Sequence, residues 1–406
     1  MIRTEIIPKT HIDRVHCQLE IPKSRQISDL QWVHDHHDHC RELSPTDVEI
    51  RIHCVSINFR DMLKVRGLYP YVRGSENEYD HDQNIGADFS GIILRKGSQV
   101  QLNINDRVFG IITNDSAMKS HLICNENNLV RAPSKFSMEE LATLPTYLTV
   151  LYAVGNRIQL RENQTILIHA ATSGVGLAFI QYAQMIGANV IATAGTEEKR
   201  AFLRKNYQIK HVFNSRDLSF ISGIRRVVPS GQVDVIINSL SGIFLKESLE
   251  LLAPFGHFIE LRKRDIYSNT EFPLFPLRLN CTHHVIDSVS LQKYFPGIVE
   301  DLLRKIGNLC ENGQLKPITP IESFQASEIQ QAFFKYSQAT HWGKFVIRIA
   351  ESNEKLAIET NQRDEQLQRI RKGSLLKETI SNNSIEIFRS RKCFFRYCLS
   401  SWNYCY

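Results

Sequence analysis

Between Gln164 and Gly176 the chain sets small side chains where bare backbone could meet a phosphate. The segment reads QTILIHAATSGVG: an apolar run, Thr165 to His169, then Ala170, Ala171, Thr172, Ser173, Gly174, Val175 and Gly176. Small residues let main-chain N–H groups approach an anion closely, and the positive dipole end of a following helix faces the charge. That is the chemistry of pyrophosphate binding in a dinucleotide site. In G-x-G-x-x-G register the key positions are Ala171, Ser173 and Gly176, so only the last is glycine and the pattern alone discriminates poorly.

The residues after the next strand add to it. Where an acidic residue would hold a ribose 2′-hydroxyl, the chain reads Thr193, Ala194, Gly195, Thr196, Glu197, Glu198, Lys199, Arg200. Hydroxyls followed by Lys and Arg suit a 2′-phosphate, which favours NADPH over NADH. A plainer role for Thr196 is the N-cap of a helix with an acidic first turn. The two are compatible, because a capped helix still presents Lys199. A second group of chemically able residues is DHHDHC, Asp35 to Cys40, preceded by His34. His, Asp and Cys all ligate metals, but neighbours in one loop rarely converge on an ion unaided, so a solvated loop is expected.

These groups need elements to position them. Thr165 to His169 reads as a buried parallel strand, Leu177 to Ile186 as an amphipathic helix closed by Gly187, and Asn189 to Thr193 as a second strand. Further apolar runs at His211–Phe213, Val233–Ile237, His257–Leu261 and His284–Ile286 alternate with helical segments, predicting a doubly wound parallel sheet. Upstream, Val48–Asn58 and the short strands that follow make 47–133 a small, mostly β block. Ser137 to Val154 reads as a helix with Ser137 as N-cap and Glu140 closing a capping box. Downstream come helices at Val299–Leu309 and Ala326–Tyr336 and a strand at Lys344–Ile349. Residues 1–45 look irregular, and 351–406 form a polar tail expected to be flexible.

Composition narrows the function classes. A net charge of +6 over 406 residues is too balanced to argue for nucleic acid, and half of that excess lies in the last 56 residues. No run approaches the roughly 18 apolar residues of a membrane span. MIRTEIIPKTHID lacks the apolar core of a signal peptide. Nine widely spaced cysteines, an odd number, point to reduced thiols and a cytoplasmic setting.

The order of motifs resembles the enoyl reductase domain of polyketide synthases and animal-type fatty acid synthases, in the zinc-free branch of the medium-chain dehydrogenase/reductase superfamily. The likeness runs from Glu49 to Ile349 and rests on blocks in sequence: NFRDML with GLYP (58–70), GADFSG (86–91), DRVFG (106–110), HAATSGVGLAFIQ, GTEEKRAFL, HVFNSRDLSF (211–220), VDVIINSLSG (233–242), LLAPFGHFIELRKRDI (251–266) and HWGKFVI (341–347). It implies an α/β fold: a GroES-like, mostly β substrate domain split over 46–139 and 287–350, with a Rossmann NADPH-binding domain, 140–286, inserted. Zinc-dependent relatives carry a Cys ligand where this chain has Asn58–Asp61, and a Gly-His-Glu turn where it has Gly86-Ala87-Asp88. Cys17, Cys40, Cys54 and Cys124 are too scattered for a structural zinc lobe. No metal is therefore expected.

The resemblance also assigns roles. It places Lys263 and Asp287 beside the nicotinamide as candidate proton donors and Tyr69 where a tyrosine is tied to the stereochemistry of protonation. It puts Asn238, Ser239, Leu240 and Lys344 among the cofactor contacts, with the Ala171–Gly176 turn, Thr193, Thr196 and Lys199. A structural Lys263 ion pair and a merely space-filling Tyr69 are the plain alternatives. Two departures stand out: Arg262 replaces the usual Gly before the lysine, and Ser173 replaces one of a glycine pair in the phosphate turn. The implied activity is NADPH-dependent reduction of a trans-2-enoyl thioester in polyketide or fatty acid synthesis, on an acyl carrier protein; a homodimer is compatible with it. The rivals are a quinone or enone oxidoreductase and a catalytically silent interaction module.

Overall fold

Six parallel strands make one sheet, in the order His211–Asn214, Asn189–Ala194, Thr165–Ile168, Val233–Asn238, Leu252–Glu260 and Thr282–Val285. These belong to a computed structural model that describes residues 3–7, 16–35, 41–71, 82–349 and 356–360. The strands are nearly continuous Val/Ile/Leu runs because both faces are covered. Ile166 and Ile168 pack on one face with Leu177, Phe179 and Ile180 of the helix Gly174–Ile186. Leu167, one residue between them, packs on the other face with Phe220, Ile224 and Leu249. That is the strand's two-residue period.

The chain builds outward from Thr165–Ile168 to one edge, then returns and adds Val233–Asn238 on its other side. The order therefore reverses beside Thr165–Ile168, and open α/β sheets bind ligands in the crevice such a reversal leaves at the strands' C-terminal ends.

The second lobe is a mostly antiparallel sheet ordered Ile321–Gln325, Lys344–Arg348, Asp47–Ile57, Asp88–Lys96, Arg107–Ile111 and Leu129–Arg131, with His121–Asn125 also on Asp47–Ile57. Phe345 pairs with Ile57, so a late segment completes a sheet begun by an early one. The doubly wound sheet and the GroES-like lobe expected from the sequence are both present. Helix Pro296–Glu311 buries Val299, Leu302, Leu303 and Ile306 in the same cluster as Leu148 and Phe179, so the apolar interior continues between the lobes.

The structure departs from expectation at three places. Within the supposedly irregular residues 1–45, Cys17–Glu20 and Gln31–His34 form an antiparallel hairpin. Its anchors are few but deep: Cys17, Leu19, Ile21, Leu30 and Trp32 are buried with the Asp47–Ile57 strand, and Trp32 Nε1 donates to the Ala326 carbonyl at 2.8 Å. The partners lie far along the chain, which local polarity does not reveal. The stretch Ser137–Val154 is not one helix. Its capping box forms, with Ser137 N donating to Glu140 Oε2 at 2.8 Å, but Pro145 separates Met138–Leu141 from Thr146–Val150, and a wide π-type turn follows over Leu151–Arg157. The strand expected at His257–Leu261 starts earlier, at Leu252. Residues 36–40 of the His/Asp/Cys cluster and most of the tail lie outside the described residues. Among the described residues no helix is long and apolar enough to cross a membrane.

Candidate active site

The phosphate turn leaves Thr165–Ile168 through Ala170, which takes a left-handed φ of +48°, and enters its helix at Gly174. Ser173 is the N-cap, its Oγ accepting from Gly176 N at 3.1 Å, so serine here organises the turn rather than obstructing it. A Cβ on Gly176 would stand 2.7 Å from the Ala170 carbonyl oxygen, and one on Gly174 2.4 Å from Lys344 Cδ. At Gly176 the clash is with backbone and only glycine fits, whereas at Gly174 the neighbour is the lysine stem.

Lys344 reaches this turn from the other lobe. Gly343 N donates to the Thr172 carbonyl at 3.0 Å, and the Lys344 stem then lies against Gly174. Its ammonium is buried, donating to Asn58 Oδ1 at 2.7 Å and to Asp88 Oδ2 at 3.4 Å. Burial pulls its pKa down against the neighbouring carboxylates. Asp61 is engaged too, accepting from Asn58 N at 2.8 Å and Gly86 N at 3.0 Å. The two segments that would carry zinc ligands in relatives are thus cross-linked by a lysine and by backbone amides. Among the described residues no group of three or more His, Cys, Asp or Glu side chains is arranged to hold a metal.

At the ribose end the expected residues separate. Thr193 is fully buried, its hydroxyl 2.9 Å from His169 Nδ1. Ser248 Oγ donates to the Phe244 carbonyl and so accepts from His169 Nε2, which leaves Nδ1 to accept from Thr193. His169 is held neutral, its pKa pushed by burial to about 3. Thr193 thus faces the interior. Thr196 caps the helix Glu197–Tyr207, accepting from Lys199 N at 3.3 Å. Arg200 is occupied by Glu197 at 2.9 Å and by the Ala194 carbonyl.

Lys199, in the first turn of that helix and half-buried, donates from Nζ to the Ala339 carbonyl at 3.1 Å, with its pKa lowered by burial and then by the charge of Arg216. Arg216 is the cation the sequence reading passed over. Its Nε lies 2.7 Å from where a Cβ on Gly195 would stand. The signal was present in the HVFNSRDLSF block, one strand over from Lys199. A bare-backbone turn followed by this Lys/Arg pair fits a phosphorylated dinucleotide.

Asn238 and Glu260 face each other across the C-terminal ends of neighbouring strands. Asn238 uses its side chain inside the protein, Nδ2 donating to Glu260 Oε2 at 2.6 Å and Oδ1 accepting from Leu240 N at 3.1 Å. Ser239 Oγ is buried without a partner at the same edge. Arg262 is partly exposed, and its backbone N–H donates to Glu260 Oε1 at 2.7 Å.

Lys263, Asp287 and Tyr69 come together from three distant segments. The Lys263 ammonium donates to Asp287 Oδ1 at 2.6 Å and to the Tyr69 hydroxyl at 3.0 Å. Burial disfavours its charge, but the Tyr69 oxygen and the Asp287 carboxylate outweigh this and hold it above the ordinary lysine value. Asp287 is partly buried too, yet the ammonium, Ser290 and the Val289 N–H keep its carboxyl below the usual range. It also caps the helix Ser288–Tyr294. Tyr69 follows the left-handed Gly67 and is flanked by a second cation, with Lys64 Nζ 5.3 Å from its ring centre. Burial, then the charge of Arg60, brings Lys64 down to about 7. The arrangement can stabilise a developing oxyanion and hold a proton at Lys263 Nζ or Tyr69 Oη.

The comparisons follow the same lines. Residues 44–148 match the family described as alcohol dehydrogenase GroES-like domain, and 174–304 that described as zinc-binding dehydrogenase. The highly reducing polyketide synthase claI of Penicillium crustosum is 38% identical over 326 residues, 78% of this chain and 13% of that protein. The squalestatin hexaketide synthase of Phoma sp. is 32% identical over 344 residues, 84% of this chain and again 13% of that protein. The chain thus spans about an eighth of these curated relatives. Among solved structures, the CurF ER cyclopropanase of the curacin A biosynthetic pathway and the JamJ enoyl reductase each superpose with a TM-score of 0.74 at 30% identity, covering 82% of this chain and 99% of theirs. The Escherichia coli quinone oxidoreductase complexed with NADPH shares the fold at 21% identity, with a TM-score of 0.67 over 82% of this chain and 99% of that one. Matching both in fold and in sequence, the chain belongs to the polyketide-synthase enoyl reductases of the medium-chain dehydrogenase/reductase superfamily.

Proposed function

We propose that the protein reduces a trans-2-enoyl thioester, presented on an acyl carrier protein, to the saturated acyl thioester with NADPH. The observation that carries this reading is the Lys263–Asp287–Tyr69 group at the crevice. The cofactor, when bound, supplies the hydride that adds to the substrate β-carbon. The remaining work falls to the chain. The backbone of Ala171–Gly176 holds the pyrophosphate, and Lys199 with Arg216 holds the 2′-phosphate beside the Thr196 cap. Ser239 and Leu240 line the nicotinamide end of the crevice. Lys263 Nζ donates to the thioester oxygen as it takes on enolate charge, and Asp287 fixes the ammonium. Tyr69 Oη or Lys263 Nζ then delivers a proton to the α-carbon. Hydride and proton together saturate the double bond.

Steady-state turnover of a crotonyl thioester with NADPH and with NADH tests the proposal, with a small quinone as the rival substrate. The thioester should be preferred to the quinone, and NADPH to NADH. Hydrogen bonds to charged groups contribute about 1.5–3 kcal/mol each, so Lys199→Ala should raise the NADPH requirement about tenfold or more while lowering the maximal rate far less. Equal use of both cofactors, or unchanged NADPH affinity in Lys199→Ala, would contradict the 2′-phosphate assignment. Turnover of the quinone alone would favour the free oxidoreductase, and failure to bind NADPH would favour a silent module.

A further inference from the structure

Glu260 is a carboxylate where three chain segments leave adjacent strands. It ends Leu252–Glu260, and its side chain, 2% exposed, accepts from Asn238 Nδ2 at 2.6 Å on one oxygen and from Arg262 N at 2.7 Å on the other. Its carbonyl accepts from Ile286 N at 3.0 Å, one residue before Asp287. Asn238 in turn holds Leu240 through both side-chain atoms and takes Leu261 N on its carbonyl at 3.1 Å. One carboxylate therefore ties the 238–240 turn to the backbone that launches Lys263, beside the segment that launches Asp287. Carboxylates are almost never fully buried without a specific partner, because an uncompensated buried charge is expensive. Burial does push this one up to about 7, against the two hydrogen bonds it receives.

We propose that Glu260 is the positioning residue of the active site, fixing the Asn238 turn and the Arg262 amide so that the nicotinamide edge and Lys263 are set in register. The proposal rests on the crevice being a nicotinamide pocket. Two donors converge on Glu260, from Asn238 and from Arg262, and only a carboxylate accepts both. Glutamine offers one acceptor oxygen and would turn its NH₂ toward the other donor. Asn238→Asp combined with Glu260→Gln reverses donor and acceptor between the two side chains, while the glutamine oxygen still accepts from Arg262; the bond that Asn238 Nδ2 gives the Leu240 carbonyl is lost in exchange.

The test uses the intact chain and three readouts: NADPH affinity by fluorescence titration, kcat and KM with a crotonyl thioester, and the thermal midpoint. An unmade bond to a charged acceptor predicts that Glu260→Gln weakens NADPH binding about tenfold and lowers kcat more than it changes the thioester KM. Its thermal midpoint should fall by only a few degrees, the cost of one unsatisfied buried donor. The double variant should regain part of both losses, short of the wild type by the Leu240 bond it gives up. The proposal is overturned if Glu260→Gln keeps its cofactor affinity and kcat, or if only its thermal midpoint falls. Should Glu260→Gln fail to fold, Asn238→Ala removes the same bond from the donor side and must show the same cofactor loss. A wild type that binds NADPH but reduces no enoyl thioester would sink the proposed reaction, while the affinity measurements would still decide the role of Glu260.

Discussion

Lys263→Ala combined with Asp287→Asn is expected to lower kcat about a thousandfold, the middle of the range for losing a positioned proton donor. Each single change should cost less, about tenfold to a hundredfold. The reason lies in how the two groups set each other's charge. In the wild type the ammonium keeps Asp287 ionised, so it cannot donate a proton. Remove the ammonium, and burial is opposed only by Ser290 and the Val289 N–H, so the carboxyl rises and Asp287 becomes a substitute donor. Asparagine at 287 keeps an N-cap acceptor for Ser288–Tyr294, so the double variant should fold and still bind NADPH. The check is kcat with a crotonyl thioester for all four members of the cycle. A double variant close to wild type would mean that the proton comes from elsewhere and that the Lys263–Asp287 pair is structural.

Lys344→Met should cost about 3–5 kcal/mol of stability, the usual result of removing one member of a buried ion pair. Side-chain exposures of 4% for Lys344 and 6% for Asp88 leave no water to take over. Without the ammonium, Asp88 must stay charged and uncompensated or take up a proton, and Asn58 loses its donor. At about 2–4 °C per kcal/mol for a domain of this kind, the thermal midpoint should drop by about 10 °C. Adding Asp88→Asn removes the stranded charge and should recover part of the loss. A single variant as stable as wild type would show that the ammonium is not needed there.

Much of this site was legible because short-range rules wrote it. The apolar run Thr165–Ile168, the small residues after it and the left-handed Gly187 that closes the helix are all local, and all formed where expected. So did the Ser137–Glu140 capping box. What the sequence hid depends on side-chain direction or on register. Thr193 looked like a ribose ligand until its position on the strand turned its hydroxyl inward to His169. Arg200 and Arg216 are equivalent in composition, yet Glu197 sits one helical turn from Arg200 and engages it. Asn238 and Glu260 meet only because two parallel strands align at their last residues, 22 positions apart. The hairpin of Cys17–Glu20 with Gln31–His34 rests on a tryptophan that finds its partner 294 residues away.

In the proposed reaction a hydride reaches the β-carbon of a conjugated thioester while a proton held by Lys263 and Tyr69 reaches the α-carbon. Incubation with crotonyl thioester and NADPH deuterated at the transferable position tests this directly, with mass and NMR analysis of the product. The expected product is a butyryl thioester carrying a single deuterium, on the β-carbon, with the α-hydrogen drawn from solvent. Unreduced crotonyl thioester, or deuterium at the α-carbon, would contradict it.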